Sequence, residues 1–211
     1  IQKYAFRKYK IKTVENKHTH LVPEELEQLE RLSLTDKHMK LQKSLDAFLF
    51  CCYAGMRYSD FTNLSKKNIV DINQETWLIY KSVKTGTEVR LPLYLLFAGK
   101  GIVILNKYRN NLEDFFRLRD NSNINKDLII IAKLAGLSKK ISFHTARHTN
   151  ATLLIYNGVN ITTVQKLLGH KSVKTTQVYT NIMDMTIVHD LEKIKQAALG
   201  IKKKTDNSFN K

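Results

Sequence analysis

The chain is 211 residues long, with 35 Lys and Arg against 19 Asp and Glu, a formal charge of +16 at neutral pH, and 43% hydrophobic residues, nine Tyr and nine Phe among them. That much apolar and aromatic material supplies a packed core and excludes global disorder, and no run approaches the ~18 consecutive apolar residues that cross a bilayer. The surplus of Lys and Arg favours a polyanionic partner, nucleic acid ahead of an anionic membrane, because cations that neutralise phosphates release condensed counterions.

Residues 1–20 alternate aromatic and basic side chains (Tyr4, Phe6, Arg7, Lys8, Tyr9, Lys10) without a sustained period. They read as a basic linker, with an N-terminal DNA-binding domain expected ahead of it, and they lack the apolar stretch of a secretory leader. From Pro23 the pattern turns helical. Pro in the first turn, Glu24 and Glu25 where the helix dipole favours anions, and Leu26, Leu29 and Leu32 predict a helix over 23–34. A second helix, over 39–53, carries Leu41, Leu45, Phe48, Leu49 and Cys52 at spacings of three and four and stops at Gly55. Cys51 and Cys52 are neighbours inside that apolar run, where a disulfide would strain the backbone, so both are read as reduced core residues. A short third helix is expected over 58–64.

The period then drops to two. Runs at 69–72, 76–83 and 88–93 are rich in β-branched and aromatic residues and are separated by Asn73-Gln74 and by Lys84-Thr85-Gly86, which predicts a three-stranded antiparallel sheet. Beyond Pro92 the pattern is helical over 94–112, 125–135, 145–156, 161–168, 173–179 and 185–199, and residues 201–211, with Lys202, Lys203 and Lys204, read as a basic disordered tail. The fold class is mainly α with one small antiparallel sheet (α+β), a single domain over 21–200.

Four segments hold side chains with chemistry. Arg57 follows the Gly55 turn, with Asp60 three residues on to hold its guanidinium; alone, such a pair is surface electrostatics worth under about 1 kcal/mol. Lys84 sits in the hairpin turn between strands. Ser142-Phe143-His144-Thr145-Ala146-Arg147-His148 opens a helix and puts His144, Arg147 and His148 on one face. The His144 and His148 spacing suits zinc, but Thr145 stands where a metalloprotease carries its Glu base, so no metal site is assigned. Leu167-Leu168-Gly169-His170 sets a histidine on the exit turn of a helix, and Tyr179 follows nine residues later, by itself as readily a core-edge tyrosine as a reactive one.

Arg after a glycine turn, Lys in a hairpin, His-x-x-Arg, Leu-Gly-His and Tyr, in that order over 20–199, resemble the catalytic domain of the tyrosine recombinases, the phage-integrase-type site-specific recombinases. The wording is closest to integrases of bacterial mobile elements and conjugative transposons. The resemblance implies the DNA breaking-rejoining catalytic fold and an enzyme that cleaves and rejoins DNA through a 3′-phosphotyrosine, integrating or excising a mobile element, with no cofactor. It implies Arg57 and Arg147 as clamps on the scissile phosphate, Lys84 as the proton donor to the leaving oxygen (Lys81 if the hairpin register differs), Tyr179 as nucleophile, and His144 and His170 completing the set. It also implies double-stranded DNA as partner, a homotetramer on DNA and a monomer off it, accessory DNA-bending proteins, a bacterial cytoplasmic location, and a C-terminal helix docked on its own domain or on a neighbouring protomer. Lys66, Lys67, Lys171 and Lys174 are candidate phosphate contacts. The alternatives are type IB topoisomerase-like relaxation, a catalytically silent DNA-binding module of the same fold, and a metal hydrolase resting on His144 and His148. The chemistry suits the assignment: two planar guanidinium forks match a phosphodiester whose charge grows during attack, and a phenol with an ordinary pKa of about 10 needs such a positive field.

Overall fold

Helix α1 (Pro23–Glu30) begins as its composition dictates, with Pro in the first turn and the Glu25 carboxylate accepting from the Val22 N–H at 2.9 Å. The chain is described here from a computed structural model that covers residues 19–179 and Leu191. The first helix ends four residues before the predicted 34, and a 3-10 turn (Asp36–Leu41) leads directly into α2 (Gln42–Ala54). Every residue of α2 from Ser44 to Ala54 is buried, so this is a helix enclosed on all sides by its own domain. Cys51 and Cys52 are free thiols inside it. Gly55 closes α2 in the left-handed region (φ 67°), and a Cβ there would stand 2.6 Å from Asn150 Oδ1 and 2.8 Å from Leu168 Cδ2, so only glycine meets both demands.

After α3 (Tyr58–Thr62) come β1 (Ile69–Ile72), β2 (Glu75–Lys81) and β3 (Glu88–Pro92), antiparallel in the order β1-β2-β3. Asn73 and Gln74 both have positive φ (55° and 64°), the two-residue turn whose twist matches the strands it joins. The second hairpin is longer: the Ser82 N–H donates to Thr87 O at 2.9 Å and the Gly86 N–H to Ser82 O at 2.7 Å, which leaves Lys84 at the tip.

The predicted helix over 94–112 is broken. Phe97, Ala98 and Gly99 all take positive φ (48°, 54° and 73°), and α4 (Lys100–Lys107) starts only after them. At the break the Phe97 ring lies 5.7 Å from that of Tyr53, and at the far end of α4 the Tyr108 hydroxyl donates to buried Asp46 at 2.8 Å. A separate short helix, α5 (Leu112–Phe116), follows, with Asn111 Oδ1 accepting from the Asp114 N–H. Helix α6 (Asn121–Leu134) starts four residues before the predicted 125 because Asp120 caps it, accepting from the Asn123 N–H at 3.0 Å. Helices α7 (Phe143–Tyr156), α8 (Ile161–Leu167) and α9 (Lys174–Gln177) complete the described chain.

Helix α2 lies at the centre, packed along α7 and against α1, α4, α5 and α6. Phe61 joins Phe115, Phe116 and Phe143 at ring distances of 5.3, 5.5 and 6.2 Å, fastening α3, α5 and α7 together. The architecture is the expected one, mainly helical with one small antiparallel sheet. Almost all of the expected linker, the predicted helix at 185–199 apart from Leu191, and the expected tail lie outside the described residues. Among the described residues no helix is long and apolar enough to cross a membrane.

Candidate active site

Arg147 sits in the second turn of α7 and is 1% exposed. Its guanidinium donates through Nη1 to Gly55 O at 2.7 Å and through Nη2 to Leu168 O at 2.6 Å, the terminal carbonyls of α2 and α8. Two helix C-termini therefore share this charge through partial negative dipoles rather than a carboxylate, which would compete with an anionic ligand for the same fork. Burial first, and then the nearby Arg57 charge, pull its pKa down to about 10, so it is still a cation at neutral pH. One turn on, Asn150 Nδ2 donates to Cys52 O and Tyr53 O at 2.9 and 3.0 Å, so α7 grips the end of α2 twice.

Arg57 caps α3 in an extended conformation that carries its side chain toward the second hairpin. Its Nη1 donates to Ser82 Oγ at 3.3 Å and lies 3.6 Å from Asp60 Oδ2. Asp60, 2% exposed, also accepts from Ser82 Oγ at 3.3 Å and from the Val83 N–H at 2.8 Å. One buried carboxylate thus ties Arg57 to the hairpin whose tip carries Lys84. The same hairpin is anchored on its other side: Thr85 Oγ1 donates to Gly169 O at 3.0 Å, and β3 packs so tightly that a Cβ on Gly169 would lie 2.6 Å from Val89 Cγ2.

His170 follows that glycine. Its N–H donates to Gln165 O and its carbonyl accepts from Gln165 Nε2, both at 3.0 Å, and its Nδ1 is 2.9 Å from Thr176 Oγ1. Burial, then the Arg147 and Arg57 cations, with smaller contributions from His144 and Lys84, lower its pKa to about 3, so the ring is neutral at pH 7. Tyr179 is 5% exposed and its N–H donates to Thr176 O at 3.1 Å. Burial raises the phenol's pKa while Arg147 and Arg57 pull it back, so the ligand-free site holds a neutral phenol under two guanidinium charges. His148 lies between the reactive-type groups, its ring 5.5 Å from Tyr179 and 4.4 Å from the exposed His144 ring.

Arg57, Lys84, His144, Arg147, His170 and Tyr179 are thus brought to one place, linked by charge and contact. Lys81 instead ends β2 opposite Glu88. Lys171, on the turn after His170, and Lys174, the first residue of α9, are both exposed. Lys66 and Lys67 are exposed on the turn between α3 and β1, held by the Lys66 N–H donating to Glu113 at 2.9 Å. No three His, Cys, Asp or Glu side chains gather as a metal site among the described residues. Sequence reasoning missed Ser82, Asn150, Gln165 and Thr176. Each acts through a backbone carbonyl or another side chain, and only Thr176, three residues before Tyr179, stood close enough in the chain to be found.

Residues 20–185 match the phage integrase family. A tyrosine recombinase of Pseudothermotoga lettingae is 30% identical over 181 residues, which cover 83% of this chain and 60% of that protein. The crystal structure of XerA recombinase aligns with a TM-score of 0.64 at 26% identity, covering 83% of this chain and 64% of that one. The structure of a lambda integrase tetramer bound to a Holliday junction aligns with a TM-score of 0.59 at 19% identity, covering 76% and 47%. The chain spans about half the length of several curated relatives it matches. Because the family match runs through the whole described core, from ahead of α1 to beyond Tyr179, the chain belongs to the phage integrase family.

Proposed function

We propose that the chain is the catalytic part of a site-specific recombinase, cutting and rejoining DNA strands through a 3′-phosphotyrosine on Tyr179. The observation that carries this reading is the convergence of positive charge on a buried phenol. Arg57 and Arg147 act on both Tyr179 and His170, and Asp60 is the one carboxylate ion-paired within the cluster among the described residues. An anionic phosphodiester completes such a charge balance, and its nonbridging oxygens gain charge during attack, where fixed guanidinium donors act most strongly.

In the first step the Tyr179 oxygen bonds to phosphorus as the bond from phosphorus to the 5′ oxygen breaks. The phenol proton passes to an imidazole, exposed His144 being the accessible one, and the Lys84 ammonium protonates the departing 5′ oxygen. One phosphate ester replaces another, nothing is oxidised or reduced, and a 5′ hydroxyl from a second strand reverses the step on the phosphotyrosine. The substrate is double-stranded DNA, consistent with the +16 charge, and Lys171 and Lys174 are its nearest phosphate contacts, with Lys66 and Lys67 farther out. Assembly as a tetramer on DNA draws support from the lambda integrase tetramer bound to a Holliday junction, and a monomer off DNA belongs to the same reading. Integration or excision of a mobile element, help from DNA-bending proteins and a bacterial cytoplasmic location complete the reading.

Incubating the chain with a library of nicked duplexes of random sequence, in chelator, should yield a denaturant-stable protein–DNA product enriched in one sequence. Tyr179→Phe should bind DNA as well and give none. A product from Tyr179→Phe would move the nucleophile elsewhere, and relaxation of supercoiled plasmid regardless of sequence would favour the topoisomerase alternative.

A further inference from the structure

The hydrogen bond between His170 Nδ1 and Thr176 Oγ1 decides more than the position of the ring. Both groups are out of water, Thr176 at 0% and His170 at 7% exposure. Gln165 already fixes the His170 backbone at its N–H and its carbonyl, so the unsettled property of the residue is which ring nitrogen carries the proton. The Thr176 hydroxyl has one proton to place, and among the described residues its hydrogen-bond partner is Nδ1. If Nδ1–H donated, the buried hydroxyl proton would have no acceptor. If the hydroxyl donates, Nδ1 is bare and the neutral ring carries its proton on Nε2. The fixed charges around the ring are the cations Arg147, Arg57 and Lys84, which disfavour a second proton.

We propose that Thr176 is a positioning residue that selects the Nε2–H tautomer of His170, making the imidazole a neutral hydrogen-bond donor to the scissile phosphate, and that it fastens this donor to the helix ending beside Tyr179. The second half rests on chain geometry: Thr176 lies in α9, and its carbonyl accepts from the Tyr179 N–H at 3.1 Å. Donor and nucleophile are therefore set together, and a displacement of α9 that withdraws the phenol also releases the imidazole. The inference rests on the recombinase reading for the identity of the phosphate, but the tautomer itself is a property of the chain without DNA.

The test has two arms. Long-range proton–nitrogen correlation of the 15N-labelled, DNA-free chain at pH 7.5, with His170 assigned by its loss in His170→Asn, should show Nε2 protonated and Nδ1 bare. Thr176→Ser should keep that pattern, whereas Thr176→Val should give a mixture of tautomers. On the nicked duplex selected from the library, Thr176→Val should form the covalent product about 10- to 100-fold more slowly with unchanged DNA affinity, and Thr176→Ser should restore the rate. An Nδ1–H ring in the parent overturns the proposal even if Thr176→Val fails to fold, and a parental rate in a folded Thr176→Val overturns it as well. A parent that forms no covalent product refutes the recombinase reading instead and leaves the tautomer to be judged by the spectrum.

Discussion

The two ends of α2 handle buried charge in opposite ways. Near its start Asp46, 1% exposed, is answered on every side: Lys107 Nζ at 2.9 Å, the Tyr108 hydroxyl at 2.8 Å and Gln42 Nε2 at 3.1 Å all donate to it. Nearby Asp127 accepts from Ser44 Oγ and from Arg119. At the far end the account is left open. Arg147 has backbone carbonyls but no ion pair among the described residues, and Lys84, His144 and His170 stand around it and Arg57. A buried charge is tolerated when hydrogen-bonded, and burial first, with repulsion from neighbouring cations second, depresses the pKa values of Arg147 and His170. The closed network is therefore read as structure and the open one as a site awaiting an anion.

The sharpest way to break that contrast is to remove the open charges. Arg57→Ala and Arg147→Ala should each raise the cleavage barrier by about 3 kcal/mol or more, read as the rate of covalent product; an unchanged rate in either would refute its clamp role. Asp46→Ala should do the converse, lowering stability by about 1–3 kcal/mol in urea unfolding while the rate per folded molecule is unchanged. Gly169→Ala forces a side chain into the left-handed region against Val89, and should lower stability by about 1 kcal/mol and loosen the hairpin that carries Lys84, slowing cleavage.

A separate effect is in pH dependence. The His170 pKa falls from an ordinary 6.5 to about 3 on folding, so between those values the unfolded chain binds a proton that the folded one does not. Stability must then drop as pH is lowered from 6.5 toward 3, with no contribution above 6.5. His170→Asn should flatten the slope of unfolding free energy against pH in that window by up to about one proton, against a parent whose carboxylates titrate alike. An identical slope in both proteins would mean the imidazole is not held neutral.

Local signals were legible where the chain itself enforces them. The Asn73-Gln74 turn, the short strands, the Gly55 stop and the order of Arg57, Lys84, Arg147, His170 and Tyr179 all lie in the text, because turn residues and reactive side chains act on their immediate surroundings. The break at Phe97, Ala98 and Gly99 was not legible: the apolar spacing continues through it, and the Tyr53 ring that meets Phe97 comes from another helix. The early start of α6 at Asn121 was readable in principle, since Asp120 ahead of Asn and Ser is an ordinary cap, but the apolar period begins later.

Sequence alone determined which guanidinium, ammonium, imidazole and phenol groups this protein has available and in what order, since side-chain identity needs no neighbour. Tertiary structure alone decided how they are held. Arg147 is steadied by the carbonyl ends of two helices, Arg57 is tied to the hairpin through Asp60, and His170 is bonded to Thr176. Backbone carbonyls are the same in every residue and carry no mark in the sequence, so which of them receives a guanidinium is settled only when helices far apart in the chain come to rest against each other.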